Sequence, residues 1–170
     1  LQRNQWINEG EICGNGIDDD NNGYVDDCRG YNFADDTGND LHGSGSHGTH
    51  CAGIIAADMD NDVGIASVAG GGGGQSGVLL MHLTVFGETV YRGFAESLIY
   101  SADMGAAISS NSWGYIYPNS YAWDVKEAID YFNDNGGKNG AIDDGGIVVF
   151  AAGNGGTDEN WYPAYWPSTV

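Results

Sequence analysis

The chain has 170 residues, of which 41% are hydrophobic and 12% aromatic, and these proportions exclude an intrinsically disordered polypeptide. Its 24 acidic and five basic residues give a formal net charge of -19, which argues against nucleic acid or a membrane surface as partner. The apolar runs are far shorter than the roughly 20 residues of a membrane span. The sequence therefore predicts one soluble domain whose charge favours bound cations.

Residues 1–46 are dominated by Gly, Asn and Asp, which predicts loops held by ligands or cross-links. Eight acidic residues fall between positions 18 and 40, and this clustering favours a calcium site. Gly23 permits the required turn, but Arg29 stands where an EF-hand loop has its bidentate glutamate. A solvated acidic turn is the alternative. The predicted calcium ligands alternate along the chain: Asp18, Asp20, Asn22, the Tyr24 carbonyl and Asp26.

The chain has three cysteines, and two of them, Cys13 and Cys28, bracket the acidic loop as the cysteines of a closing disulfide would. Cys51 would then be an unpaired thiol. Such a bond would place the protein outside the reducing cytosol. Three free cysteines are the alternative.

The remaining chain, residues 47–170, shows alternating strand and helix patterns. Small and apolar residues over 47–57 predict a buried helix that the acidic residues 58–62 end, and residues 78–86, 106–110 and 147–151 predict buried strands. Two apolar faces predict further helices, the first with Phe94, Ala95, Leu98, Ile99 and Ala102, the second with Val125, Ala128, Ile129 and Phe132. This alternation predicts an α/β fold with a parallel sheet and flanking helices.

The run His-Gly-Thr-His-Cys-Ala-Gly at residues 47–53 is the sharpest motif. Two histidines three apart could bind zinc, but they lack the i, i+4 spacing of the helical zinc motif and a third ligand. The other alternative for His47 is a buried histidine whose hydrogen bonds are satisfied within the core. The run resembles the histidine motif of the subtilisin-like serine peptidases, with the cysteine of the proteinase K branch. That resemblance implies that His47 is the general base and that His50 has a structural role.

Three further segments carry the same resemblance. In Ala-Ala-Gly-Asn, residues 151–154, it implies that Asn154 donates to the oxyanion and that Ala152 and Gly153 contact substrate. Ser112, Trp113 and Gly114 resemble the family's Ser-Trp-Gly segment, whose extended backbone pairs with a polypeptide substrate, although Trp113 could also be a half-buried core residue. Residues 161–170 resemble the segment that borders the primary specificity pocket.

The family's triad also needs an aspartate and a serine. No Gly-Thr-Ser-Met-Ala-type segment occurs in residues 1–170, so we expect the serine in the remainder of the peptidase domain. Asp36 stands in an Asp-Thr-Gly turn like that of the family's aspartate. However, residues 31–35 do not form the hydrophobic strand that precedes that aspartate, and residues 30–33 resemble a stretch that follows it. We therefore expect that Asp36 is not the aspartate of the triad. We therefore expect an incomplete subtilisin-like domain that supplies His47 and Asn154 and is inactive alone.

The predicted function is part of a secreted, calcium-stabilised serine endopeptidase. A second, weaker calcium site is predicted at Asp58, Asp60, Asn61 and Asp62, with helix capping as its alternative. The competing function is a non-enzymatic, calcium-stabilised secreted module or a pseudoprotease.

Overall fold

The computed structural model describes residues 1–75, 77–138 and 145–170. They form two compact units, the N-terminal unit Leu1–Arg92 and the C-terminal unit Gly93–Val170. Within the described residues the helices are a short 3-10 helix (Gln2–Asn4), α1 (His47–Ala56), α2 (Phe94–Asp103) and α3 (Trp123–Asn135), and the strands are β1 (Gly30–Asn32), β2 (His82–Thr84), β3 (Ile108–Asn111) and β4 (Ile147–Phe150).

In the N-terminal unit, β1 and β2 form a parallel pair in which Gly30 is opposite His82. Gly30 has a φ of 122°, and a Cβ there would lie 1.9 Å from the His82 carbonyl oxygen, so only glycine fits this register. The sequence predicted the second strand, but over a longer range, and assigned the first to a loop region. All three residues of β1 are buried.

A buried asparagine ties the start of the chain to the rest of this unit. The Asn4 side chain is fully buried and donates to the carbonyl oxygens of Ala56 at 2.9 Å and Gly70 at 2.6 Å. Its amide oxygen accepts from the Gly77 backbone N–H at 3.2 Å. Because a buried amide without partners costs free energy, these bonds fix where the N-terminal segment lies.

Helix α1 begins at His47 as predicted, but the prediction that it is buried is wrong. Of its ten residues only Ala56 is buried, and Ile54 is 45% exposed. The following loop covers only the last turn, where the backbone N–H groups of Val68 and Ala69 donate to helix carbonyls. The small side chains earlier in the helix leave most of its surface uncovered.

The C-terminal unit holds the hydrophobic core. Strands β3 and β4 pair in parallel, with Asn111 opposite Phe150, and helices α2 and α3 pack together against the sheet. The predicted apolar face of α3 is confirmed, because its four residues are all buried. The core residues are Ala95, Leu98, Ala102, Val125, Ala128, Ile129, Phe132, Val148, Phe150 and Trp166.

Both strand pairs are parallel and helices accompany them, so the predicted α/β class is confirmed. Within the described part of the chain, no helix has the length and apolar character needed to cross a membrane.

Candidate active site and acidic loop

A cavity of about 340 Å³ lies in the C-terminal unit where β3 and β4 end. Parallel strands present their carboxyl ends at one edge of a sheet, which is where α/β folds usually bind ligands. The cavity brings together five residues that the sequence singled out: Ser112, Trp113, Gly114, Gly153 and Asn154. Ala152 lies in the same loop but does not line the cavity, whereas Ala151 does.

Trp113 both lines the cavity and packs onto the core. Its ring centroid lies 4.6 Å from that of Phe94 and 5.1 Å from that of Phe150. The indole N–H donates to the Asn111 side-chain oxygen at 3.2 Å. The two interpretations of Trp113 therefore describe the same position, since the ring packs against the core cluster while the residue forms part of the cavity wall.

Another part of the cavity lining comes from the segment that resembled a pocket border. Trp161 and Tyr162 line the cavity, and the Trp161 ring carbons lie 3.5 and 3.8 Å from where a Cβ on Gly155 would be. The Trp161 indole N–H donates to the Thr157 hydroxyl at 3.0 Å, which holds the ring along the loop after β4. The sequence analysis did not identify Tyr115 or Ile116 as lining residues, because their place in the wall depends on tertiary packing.

His47, the predicted general base, is the first residue of α1 and is exposed. The alternative of a satisfied core histidine is therefore wrong. Both ring nitrogens lie 4.0 Å from the sulfur of Cys51, one turn later in the helix, where only a weak contact is possible. His50 is also exposed. Cys51 is the free cysteine of the chain.

The acidic loop is closed by a Cys13–Cys28 disulfide, as the spacing predicted. Within the described residues, one group of three acidic side chains could hold a metal ion: Glu11, Asp18 and Asp20, each offering a carboxylate oxygen within 4.8 Å of the others. Three carboxylates provide the hard oxygen ligands that Ca²⁺ prefers. The sequence predicted Asp18 and Asp20 but missed Glu11, which lies outside the alternating stretch.

The other predicted calcium ligands have different surroundings. Asn22 accepts from the Tyr24 backbone N–H at 2.8 Å through its side-chain oxygen, and its amide group donates to Asp27 at 2.9 Å. Buried Asp26 accepts hydrogen bonds from the Asn39 side chain and from three successive backbone N–H groups, those of residues 14–16. These bonds, above all the one from Asn39, hold the pKa of the Asp26 carboxyl below its ordinary value of 3.8.

Asp36 and the acidic residues of the second predicted calcium site have other surroundings. The Asp36 carboxylate accepts from the Tyr31 hydroxyl at 3.0 Å, and burial together with this bond raises the pKa of Tyr31. The acidic side chains of the second predicted calcium site, Asp58, Asp60 and Asp62, are not gathered as a group of metal ligands, although all three lie in the described part of the chain. The Asp58 carboxylate lies 3.6 Å from the guanidinium of Arg3.

The chain is similar to proteins of one known family. The family model described as "Subtilase family" matches residues 10–170. The chain is 34% identical over 142 residues to thermitase from Thermoactinomyces vulgaris, which covers 83% of this chain and 45% of thermitase. It is 35% identical over 137 residues to fervidolysin from Fervidobacterium pennivorans, covering 78% and 18%, respectively.

A third relative, the thermophilic serine proteinase of Bacillus sp. (strain AK1), is 30% identical over 143 residues, which cover 84% of this chain and 31% of that protein. The chain thus spans less than half of the length of these relatives. The family match extends over nearly all of its residues, and the chain belongs to the subtilase family.

Proposed function

We propose that the chain is part of a serine endopeptidase that hydrolyses peptide bonds by a Ser-His-Asp mechanism. The observation that carries this proposal is the cavity at the ends of β3 and β4, which brings Asn154 together with the 112–114 segment. An amide donor beside a strand-like segment is what a peptidase needs to hold a peptide and stabilise its oxyanion.

In this proposal His47 accepts the proton of a serine hydroxyl as that oxygen attacks the scissile carbonyl, and later returns it to the leaving amine. The Asn154 amide N–H donates to the oxyanion that forms. The serine and the aspartate belong to the remainder of the peptidase domain. Residues 1–170 alone are therefore proposed to be inactive.

The substrate is proposed to be an extended polypeptide whose backbone pairs with residues 112–114. The cavity is lined by aromatic, aliphatic and small uncharged residues, and among the residues that the structure describes no charged one lines it. Because an unpaired charge is costly to remove from water, we propose that an uncharged side chain occupies this cavity.

Calcium is proposed as a structural ion held by Glu11, Asp18 and Asp20, and Asn22 and the Tyr24 carbonyl remain candidate ligands. The oxygen-only donor set and the net charge of -19 support calcium. Asp26 is retained as a weaker candidate, since its carboxylate is not part of the group that Glu11, Asp18 and Asp20 form. The disulfide supports a secreted or other extracytoplasmic protein, because such bonds persist in oxidising compartments.

The mechanism is tested by reacting the intact protein with a fluorophosphonate probe, which labels activated serines. We expect the His47→Ala variant to lose labelling and the matched His42→Ala variant, which changes an exposed histidine outside the motif, to retain it. Equal labelling of the His47→Ala variant and the unmodified protein would contradict the assigned role. Absence of labelling in the unmodified protein would favour the non-enzymatic module.

The calcium proposal is tested by thermal unfolding with calcium and with a chelator. An ion that binds only the native state at a concentration one hundred times its Kd stabilises that state by about 2.7 kcal/mol. We expect chelation to lower the Tm of the unmodified protein, and to have less effect on an Asp18→Asn, Asp20→Asn double variant. An Asp60→Asn variant serves as control and should respond like the unmodified protein.

A further inference from the structure

Asparagine followed by glycine is a chemically labile pair. The glycine backbone nitrogen, after losing its proton, attacks the Asn side-chain carbonyl carbon, a C–N bond forms and ammonia leaves. Water then opens the resulting succinimide to aspartate or isoaspartate. Glycine lacks a Cβ and hinders this attack least. The sequence contains five such pairs: Asn15–Gly16, Asn22–Gly23, Asn135–Gly136, Asn139–Gly140 and Asn154–Gly155.

Two of these pairs lie in the acidic loop, and hydrogen bonds hold both of their attacking nitrogens. The Gly16 N–H donates to Asp26 at 3.0 Å, and the Gly23 N–H donates to Asp18 at 2.8 Å. Each neighbouring carboxylate disfavours loss of the glycine proton, since a negative charge forming on nitrogen would be repelled. The side chains of Asn15 and Asn22 are also hydrogen-bonded, which restrains their rotation toward the nitrogen.

A third pair is held by helix α3. The Gly136 N–H donates to the Phe132 carbonyl at 2.7 Å, and the Asn135 side chain donates to the Tyr131 carbonyl at 2.9 Å. The pair at 139–140 lies outside the described residues. In three of the four described pairs, both the glycine N–H and the Asn side chain thus make hydrogen bonds.

The fourth pair, Asn154–Gly155, has neither restraint. Both residues are exposed, and within the described residues neither the Asn154 amide nor the Gly155 N–H makes a hydrogen bond. Glycines flank the pair on both sides, and Gly153 and Gly156 have φ values of 89° and 62°. This backbone has the freedom that closing a five-membered ring requires.

We propose that Asn154 is a site of spontaneous deamidation, and that it reacts faster than the three restrained Asn-Gly pairs. The product places a carboxylate, which accepts but does not donate hydrogen bonds, where an amide donor stood. If Asn154 is the oxyanion donor, a step that rests on the proposed function, each event inactivates one catalytic site. The chemical prediction itself does not depend on catalysis.

The test is to incubate the chain at mildly alkaline pH and to map deamidation by mass spectrometry after digestion with an acid protease. Deamidation replaces an NH₂ group by OH, and the heavier peptide is quantified for the four described pairs. A second sample is reduced and unfolded in urea, where all pairs lose their structural protection. We expect the native chain to accumulate product mainly at Asn154 and the unfolded chain to accumulate it at all four.

A Gly155→Ala variant provides the matched control. The three atoms nearest to a Cβ at this position belong to the Trp161 ring and the Thr157 hydroxyl and lie at 3.5 Å or more, so the substitution fits the native structure. The added methyl hinders the attacking nitrogen, and we expect deamidation at Asn154 to slow while the other pairs keep their rates. The proposal is overturned if Asn15, Asn22 or Asn135 reacts as fast as Asn154 in the native chain, or if Gly155→Ala leaves the Asn154 rate unchanged.

Discussion

The two units of the chain differ in the interactions that stabilise their interiors. The C-terminal unit has ten buried hydrophobic residues in one cluster, contributed by α2, α3, β4 and the final segment. In the N-terminal unit the described buried residues include as many polar as hydrophobic ones, and none of them belongs to that cluster. The buried polar residues are Asn4, Asn8, Glu11, Asp26, Asp27 and Asn32. Apolar packing depends on volume, whereas a polar interior depends on every donor having its acceptor. The two units should therefore respond to different perturbations.

The largest expected effect is loss of packing in the C-terminal unit. Phe132 is fully buried, and replacing such a residue by alanine typically costs about 3–5 kcal/mol. We expect Phe132→Ala to lower the unfolding free energy of this unit by that amount, measured by hydrogen exchange of the β4 amides. Glu127→Ala, on the exposed face of the same helix, should change it little. Similar losses in both variants would contradict the assignment of the core to this face.

In the N-terminal unit, a disulfide bond cross-links the acidic loop. The Cys13–Cys28 bond closes a separation of 15 residues, and a loop of this length is stabilised by about 3 kcal/mol in the chain-entropy model. We expect a Cys13→Ser, Cys28→Ser double variant to lower the stability of the N-terminal unit, measured by exchange of the β1 amides. Cys51→Ser is the control, since that cysteine is free. An unaltered exchange rate in the double variant would contradict this prediction and would show that the hydrogen bonds of the unit maintain its stability without the disulfide.

A smaller effect is expected from pH. The pKa of Asp26 is lower in the folded chain than its ordinary value of 3.8, so the unfolded chain binds the proton more readily. The stabilisation is thus complete above the ordinary value and is lost as the pH falls through the folded value. Unfolding of the N-terminal unit, followed by urea titration at several acidic pH values, should become easier in that window. An Asp26→Asn variant should show a weaker pH dependence, and an equal one would assign the effect to other carboxyls.

The elements with a regular apolar pattern could be predicted from the sequence. The spacing of Val125, Ala128, Ile129 and Phe132 correctly predicted the buried face of α3, and the apolar run 147–151 correctly predicted β4. These patterns are local, because helix and strand periodicity is written into neighbouring positions. The motif at residues 151–154 likewise pointed to the loop that lines the cavity.

The parts that could not be predicted depend on distant partners. Strand β1 contains one polar and one aromatic residue after a glycine, and its burial arises from pairing with a strand about 50 positions later. Glu11 lies near Asp18 and Asp20 because of the way the loop folds, and no regular spacing in the sequence predicts this proximity. The exposure of α1 was missed for a similar reason, since small side chains suit a buried helix but do not require one.

The pairing of Asn111 with Phe150 has a consequence for protein engineering. The parallel pairing sets the backbone separation at the ends of β3 and β4, after which cavity-lining residues follow on both strands. Substitutions at Tyr115, Ile116 or Trp161, which also line the cavity, can therefore change its shape while this separation stays constant. A library restricted to those three positions would vary the shape of the cavity on an unchanged sheet.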